Sequence, residues 1–194
     1  MTSNVFDRLA ELYRHMETAY ADAAARLGLT CEGCADNCCT SYFQHHTYVE
    51  WAYFWQGLTE LPEDVRQRYL GRARRAVAEA QTARMHGKRP EVMCPVNDGG
   101  RCSLYAHRLM ICRLHGVPNM LRRPDGRVLS FPGCWRSQEI CTAAKGDVPL
   151  LDRTPFYLRL IEIERTFVGA RRFGKLPKVD LTLAEMMVQG PPEM

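Results

Sequence analysis

The 194-residue chain has no apolar run long enough to cross a bilayer, because charged residues interrupt every stretch approaching roughly 18 residues. It also has no apolar leader. Asp7, Arg8, Glu11, Arg14 and Glu17 interleave with the apolar positions of the first segment, whereas a secretory signal needs an uninterrupted apolar core. Internal repeats and low-complexity tracts are missing, and so is an obvious glycine fingerprint for a nucleotide-type cofactor. Histidine is scarcer than cysteine, 6 residues against 9. These absences exclude a membrane partner and point to a cytoplasmic location. Thiols stay reduced there, and clustered cysteines more often serve metal or redox chemistry than structural disulfides.

The composition is that of a globular protein, with 46% apolar residues (cysteine included) and 25% charged. Disorder is excluded for the bulk of the chain, and the length suits one domain. A chain of this size can bury a core without a metal to compensate for smallness. The formal charge of +4 counts cysteines as neutral, yet metal ligands are thiolates, and two zinc–tetrathiolate sites would contribute about −2 each. The positive balance is therefore only weak evidence for nucleic acid, which is not expected as a partner, and an unidentified protein is the partner class left open.

Periodicity predicts a helix over 4–28, with Val5, Leu9, Leu12, Met16, Tyr20 and Ala24 on one face, Asn4 as cap and Gly28 as terminator. Thr47-Tyr48-Val49-Glu50 reads as a capping box opening a helix that ends near Gly57. Its Trp51, Tyr53, Phe54 and Trp55 predict burial against the cysteine region. Pro62, followed by Glu63 and Asp64, starts a helix to about Met85 with Val65, Leu70, Ala73 and Val77 inward. Arg66, Arg68, Arg72, Arg74, Arg75 and Arg84 of that helix read as a solvated face. Residues 87–150 are dominated by turns, and Pro124-Asp125-Gly126 between Leu121 and Val128 predicts a hairpin. Thr154-Pro155 starts a last long helix, and Thr182-Leu183-Ala184-Glu185 a short one. The expectation is a mainly α single domain with a small β hairpin. It comprises an N-terminal helix (1–30), a loop-rich cysteine region (31–150) and C-terminal helices (151–194).

Cysteines stand at 31, 34, 38, 39, 94, 102, 112, 134 and 141. Cys31, Cys34, Cys38 and Cys39 form CxxCxxxCC. A CxxC step presents two sulfurs to one metal from a tight turn, and the following pair makes the pattern specific. In an extended segment Cys38 and Cys39 would point to opposite sides, so they serve two nearby sites or different irons of one cluster. An odd number of cysteines in a leaderless chain fits neither a disulfide framework nor scattered core thiols. His45, His46 and His115 suit zinc or iron as residue types but read as exposed or ring-packed. Asp98 reads as a turn builder, and Tyr105 as packing beside the site.

CxxCxxxCC, Asp98-Gly99-Gly100-Arg101-Cys102-Ser103-Leu104-Tyr105, and the YxxRxxxCR run of Tyr105, Arg108, Cys112 and Arg113 together resemble the YkgJ-like cysteine-cluster family, described as zinc- or iron-chelating, over about residues 31–141. The chain has Arg108-Leu109 where the family usually shows Arg-Pro, and nine cysteines where the family centres on eight, so either Cys134 or Cys141 is the extra one. The resemblance implies metal held by Cys31, Cys34, Cys38, Cys39, Cys94, Cys102, Cys112 and one of Cys134 and Cys141. Some relatives extend the module into flagellin lysine-methylating proteins.

Zinc and an iron–sulfur centre such as a 4Fe-4S cluster both accept four thiolates, and spacing does not separate them. Two mononuclear sites and one polynuclear site are both compatible with the count. Arg108 and Arg113, expected to flank Cys112 on one helical stretch, are candidate hydrogen-bond donors to sulfur. No catalytic residue is assigned. A structural zinc protein, a redox or metal-transfer protein and an iron–sulfur enzyme remain as classes. With many turns and few large apolar residues over 87–150, folding is expected to depend on metal.

Overall fold

The computed structural model describes residues 2–32, 34, 38–144, 148 and 150–194, with the backbone alone for Thr2, Ser3 and Cys38. The described chain is mainly helical, as expected, and packs as two compact units. One comprises Met1–Cys38 and Met110–Ile163, the other Cys39–Leu109 and Glu164–Met194.

The first unit is built on α1 (Thr2–Leu27), with α4 (Met110–Leu114), α5 (Trp135–Ala143) and the start of α6 (Thr154–Val168). Val5, Leu9, Leu12, Tyr13, Met16, Ala23, Ala24 and Leu27 of α1 are buried. They recur at three- and four-residue steps, the stripe that a core-facing helix requires. The helix starts two residues before Asn4, so Asn4 lies inside it rather than at its cap. Gly28 (φ 67°) ends it, and the N–H groups of Gly28 and Leu29 donate to Ala25 and Ala24. A left-handed glycine closing such bonds satisfies carbonyls left over at a helix end.

The expected hairpin is present. β3 (Asn119–Arg122) pairs antiparallel with β4 (Val128–Phe131) across the Pro124-Asp125-Gly126 turn, and β5 (Leu151–Asp152) adds in parallel on the other edge of β3. Arg153, 8% exposed, lays its guanidinium 3.7 Å from the centre of the Phe131 ring and 5.3 Å from that of Tyr157, a cation–π arrangement that lets a charged side chain be buried. Thr154 is the first helical residue of α6, and its hydroxyl accepts from Arg122 N (2.9 Å) instead of capping the helix. Asn119 donates from its buried amide to the carbonyls of Leu114 and Val117, closing the short α4.

The second unit packs α2 (Tyr48–Thr59), α3 (Glu63–Met85), the end of α6 and α7 (Leu183–Gln189). Its core joins Trp51, Phe54 and Leu58 to Tyr69, Ala73 and Ala76 and to Met186 and Met187. The aromatic helix is thus buried, and Cys94 and Cys102 pack against the same core. Trp51 and Trp55 also work as polar groups. Their indole N–H groups donate to Met186 and Gly190 carbonyls, serving the C-terminal end of α7. Residues 87–150 supply more core than their composition suggested. Val96, Leu104, Leu109, Met110, Leu114 and Val117 are each no more than 5% exposed.

Two identical-looking caps behave differently. At α7 the box forms, since Thr182 Oγ1 accepts from Glu185 N while Thr182 N donates to Glu185. At α2 it does not. Thr47 donates its hydroxyl to Glu50 (2.8 Å), and the carboxylate of Glu164, 115 residues on, accepts from Val49 N (2.8 Å) and Tyr48 N (2.9 Å). A carboxylate with two acceptor oxygens outcompetes one hydroxyl for these amide donors.

Glu164 is 8% exposed. Burial pushes its pKa above 4.5, opposed by the two backbone N–H bonds and reinforced by the neighbouring Glu50 carboxylate. A carboxyl whose pKa is raised by folding contributes stability that is complete below 4.5 and lost as pH rises through the raised value. Unfolding free energy should therefore fall with pH above 4.5 in the wild type and lack that component in Glu164→Gln; parallel curves in denaturant titrations would refute the assignment.

Gly57 is buried in α2, where a Cβ would lie 2.4 Å from the ring of His107, itself packed 4.5 Å from Tyr53. Alanine gains about 1 kcal/mol in helix propensity, but overpacking costs about 1–3 kcal/mol. Gly57→Ala is expected to lower the unfolding midpoint; a raised midpoint would show that His107 yields freely.

Candidate metal centre

In the second unit a small hairpin arranges the cysteines. β1 (Asn97–Asp98) and β2 (Arg101–Cys102) pair with Asn97 opposite Cys102. Gly99 (φ 59°) and Gly100 (φ 83°) form the turn between them, the two-residue connection with both central φ values positive that matches strand twist. Asn97 N donates to Cys94 O (3.0 Å), so Cys94 sits one tight turn before the hairpin. Cys94 N donates to Cys39 O (2.9 Å). Cys39, Cys94 and Cys102 are thereby gathered from two distant stretches, all half-buried.

Asp98 was expected to build this turn, but Asn97 does so, its Oδ1 accepting from Gly100 N (3.0 Å). Asp98 instead accepts from Tyr69 Oη (2.5 Å) and Arg72 Nη1 (2.6 Å), both on α3. The Tyr69 hydroxyl first, then the Arg72 guanidinium, hold its carboxyl below the usual carboxylate value. Asp98→Asn should leave α3 intact but speed amide hydrogen exchange across 97–102. Unchanged exchange would show that the hairpin stands without this anchor.

In the first unit the CxxC step forms a turn, with Cys34 N donating to Cys31 O (3.3 Å). Arg136 of α5 donates to Glu32 O (2.9 Å), tying this turn to the helix whose N-cap residue is Cys134. Cys134 N in turn donates to Gly116 O (3.2 Å), just beyond α4, which carries Cys112. Cys141 lies seven residues after Cys134, near the other end of α5. That is roughly 10 Å along the axis, whereas two sulfurs on one tetrahedral zinc are about 3.8 Å apart. One ion cannot take both.

Cys38-Cys39-Thr40 is a 3-10 turn, not an extended segment. Successive residues along such a backbone turn are rotated by about 120°, not by the half-turn of an extended strand. Residues 33 and 35–37 and the side chain of Cys38, on which part of the motif's geometry depends, lie outside the described residues. The eight other cysteines carry thiols, with Cys31 exposed and the rest half-buried. Among the described residues, no three His, Cys, Asp or Glu side chains stand close enough to hold one ion. What the chain brings together is backbone: Cys94 at Cys39, and the CxxC turn at the start of α5.

The two arginines do not share one helical stretch. Arg108 precedes α4 in an extended conformation (φ −59°, ψ 135°), with Leu109 fully buried beside it, and stacks 4.0 Å from the Tyr105 ring centre. Arg113 is on α4, 4% exposed, and stacks 4.1 Å from that of Tyr13. Sequence reasoning gave little weight to His45. It is 1% exposed, its Nδ1 has no hydrogen-bond partner among the described residues, and burial, then His46, push its pKa down to about 3, leaving a neutral imidazole. No helix among the described residues is long and apolar enough to cross a membrane. Comparison with protein-family models, characterised proteins and solved structures gives no match.

Proposed function

We propose that this chain is a metal-binding protein whose thiolates hold zinc or iron, the latter as an iron–sulfur centre, with the cysteines divided between two sites, one per unit. The observation that carries the reading is the 2.9 Å bond from Cys94 N to Cys39 O, which draws together two cysteine-bearing stretches 55 residues apart. The donor set fits a borderline-soft or thiophilic metal, being thiols on turns and helix ends with a neutral imidazole in the second unit. A cysteine has one side-chain torsion, and a hop between staggered wells moves its sulfur by about 3 Å. Backbone placement, rather than any one set of thiol rotamers, therefore decides which sulfurs belong together.

Cys31, Cys34, Cys112 and Cys134, with Cys38, are assigned to the first unit's site, and Cys39, Cys94 and Cys102 to the second's. Cys141 is the surplus residue. The YkgJ-like resemblance belongs to the same proposal, as does a reducing, cytoplasmic setting. Bound zinc would fix the loops, and bound iron–sulfur would add electron transfer. The three-thiolate set favours a second reading, metal transfer or catalysis, because three protein ligands leave a coordination position open.

Metal and sulfide analysis of anaerobically purified protein tests this. Bound zinc, or iron with a visible chromophore that bleaches on reduction, is expected. Cys94→Ser and Cys134→Ser should each lower metal content, while Cys141→Ser retains it. Wild-type protein free of zinc and iron would sink the proposal, and equal loss in Cys141→Ser would sink the ligand assignment.

A further inference from the structure

In the first unit β4 (Val128–Phe131) is an outer strand of the sheet it forms with β3 and β5. The ladder fixes which of its amides are in use. On β3, Met120 O accepts from Arg153 N, and Arg122 N donates to Thr154 Oγ1. Residues 120 and 122 thus serve the β5 side, and the residues alternating with them serve β4. Met120 stands opposite Ser130 and Arg122 opposite Val128, so the N–H and C=O groups of Val128 and Ser130 point away from the sheet. Among the described residues nothing pairs with them. No lysine, proline or bulge interrupts these four residues, the usual protections of a free edge, and Val128 and Leu129 are 47% and 38% exposed.

A cation stands over this edge. The register puts Arg153 on the same face of the sheet as Leu151, Asn119 and Phe131. Its backbone lies two strands from β4, roughly 10 Å, yet its guanidinium carbon is 3.7 Å from the centre of the Phe131 ring. The side chain therefore crosses β3 to reach β4. Its Nε is sealed from solvent. Nη1 and Nη2 are not sealed, and no oxygen among the described residues accepts from them. A charge this deeply placed is ordinarily paired. Here the unpaired cation and the unpaired backbone lie side by side.

We infer that the β4 edge receives an extended acidic segment of a partner protein, which adds a strand to the sheet and sets one Asp or Glu carboxylate on Arg153 Nη1 and Nη2. In such a strand the residue opposite Phe131 shares its face with Arg153, and the residue two positions along meets Leu129. Backbone bonds to Val128 and Ser130 supply affinity, and the carboxylate supplies selection. A second copy of β4 is the poorer occupant, because Val128–Phe131 contains no acid to bring to Arg153. The inference does not rest on metal.

Amide NMR titration of the isotopically labelled full chain with the blocked peptide acetyl-Thr-Val-Thr-Glu-Thr-Val-Thr-amide tests it. The alternation sets glutamate opposite Phe131 and a valine opposite Leu129 in either strand direction. Saturable shifts of the Val128 and Ser130 amides are expected, and affinity should be about ten-fold or more weaker when glutamine replaces the peptide's glutamate. Ser130→Pro, which removes an outward N–H and no bond to β3, should lose binding while the rest of its spectrum stays that of the folded protein. Arg153→Gln should bind both peptides alike; where it does not fold, the glutamate–glutamine comparison on the wild type carries the same test. Absence of saturable shifts in β4 at millimolar peptide would overturn the inference. Equal affinity for the two peptides would overturn the role of Arg153, and wild-type binding by Ser130→Pro would overturn pairing at this edge. Self-association through β4 that the peptide does not displace would give the edge to a second copy instead.

Discussion

Asp98 is the fulcrum of the cysteine-bearing loop. A hairpin with two residues per strand has no core of its own, and two paired residues do not hold an isolated ribbon in water. Its attachment comes from one carboxylate that receives Tyr69 and Arg72 from α3 while Ser103 and Arg68 approach at 3.5 and 3.6 Å. Tyr69 is 2% exposed and belongs to the unit's core, so the anchor is rigid at its helical end. From it the loop geometry follows outward: Asn97 closes the turn, Cys102 stands across from Asn97, and Cys94 precedes it by one turn. Thiol positions are thus set by an oxygen–guanidinium–phenol cluster that contains no sulfur.

The helices were legible because burial periodicity is a local property. The stripe of α1, the acidic opening of α3 and the Pro-Asp-Gly turn each needed only neighbouring residues to read. Long-range competition was not legible. Thr47-x-x-Glu50 and Thr182-x-x-Glu185 are the same signal, yet only the second becomes a reciprocal cap, because Glu164 reaches the first helix start. Asn97 and Asp98 were equally able to make the turn by type, and the choice fell to α3, which supplies a phenol and a guanidinium to whichever carboxylate faces it. α5 left no clear periodic signal, since Ser137 alone among its residues is buried.

The cysteine motif was not legible as architecture. Cys38 and Cys39 are adjacent in the chain, but the division between the two units falls between them. The last long helix is divided likewise, its residues through Ile163 belonging to the first unit and those from Glu164 to the second. Sequence spacing reports how far apart residues are along the chain and carries no information about such a partition. Helical geometry, once α5 is known, keeps Cys134 and Cys141 off one shared ion, because a two-turn separation exceeds what one ion can span.

Charge gives the last step. With five thiolates in the first proposed site and three in the second, two zinc ions would leave about −4, which would bring the formal +4 of the chain to about zero. A surface basic enough to hold a polyanion would need its arginines uncommitted. Several are committed instead: Arg72 to Asp98, Arg136 to the CxxC turn, Arg113 to Tyr13 and Arg153 to Phe131. The arginine surplus thus acts inwardly, fixing turns and stacking on rings around the segments that carry thiols.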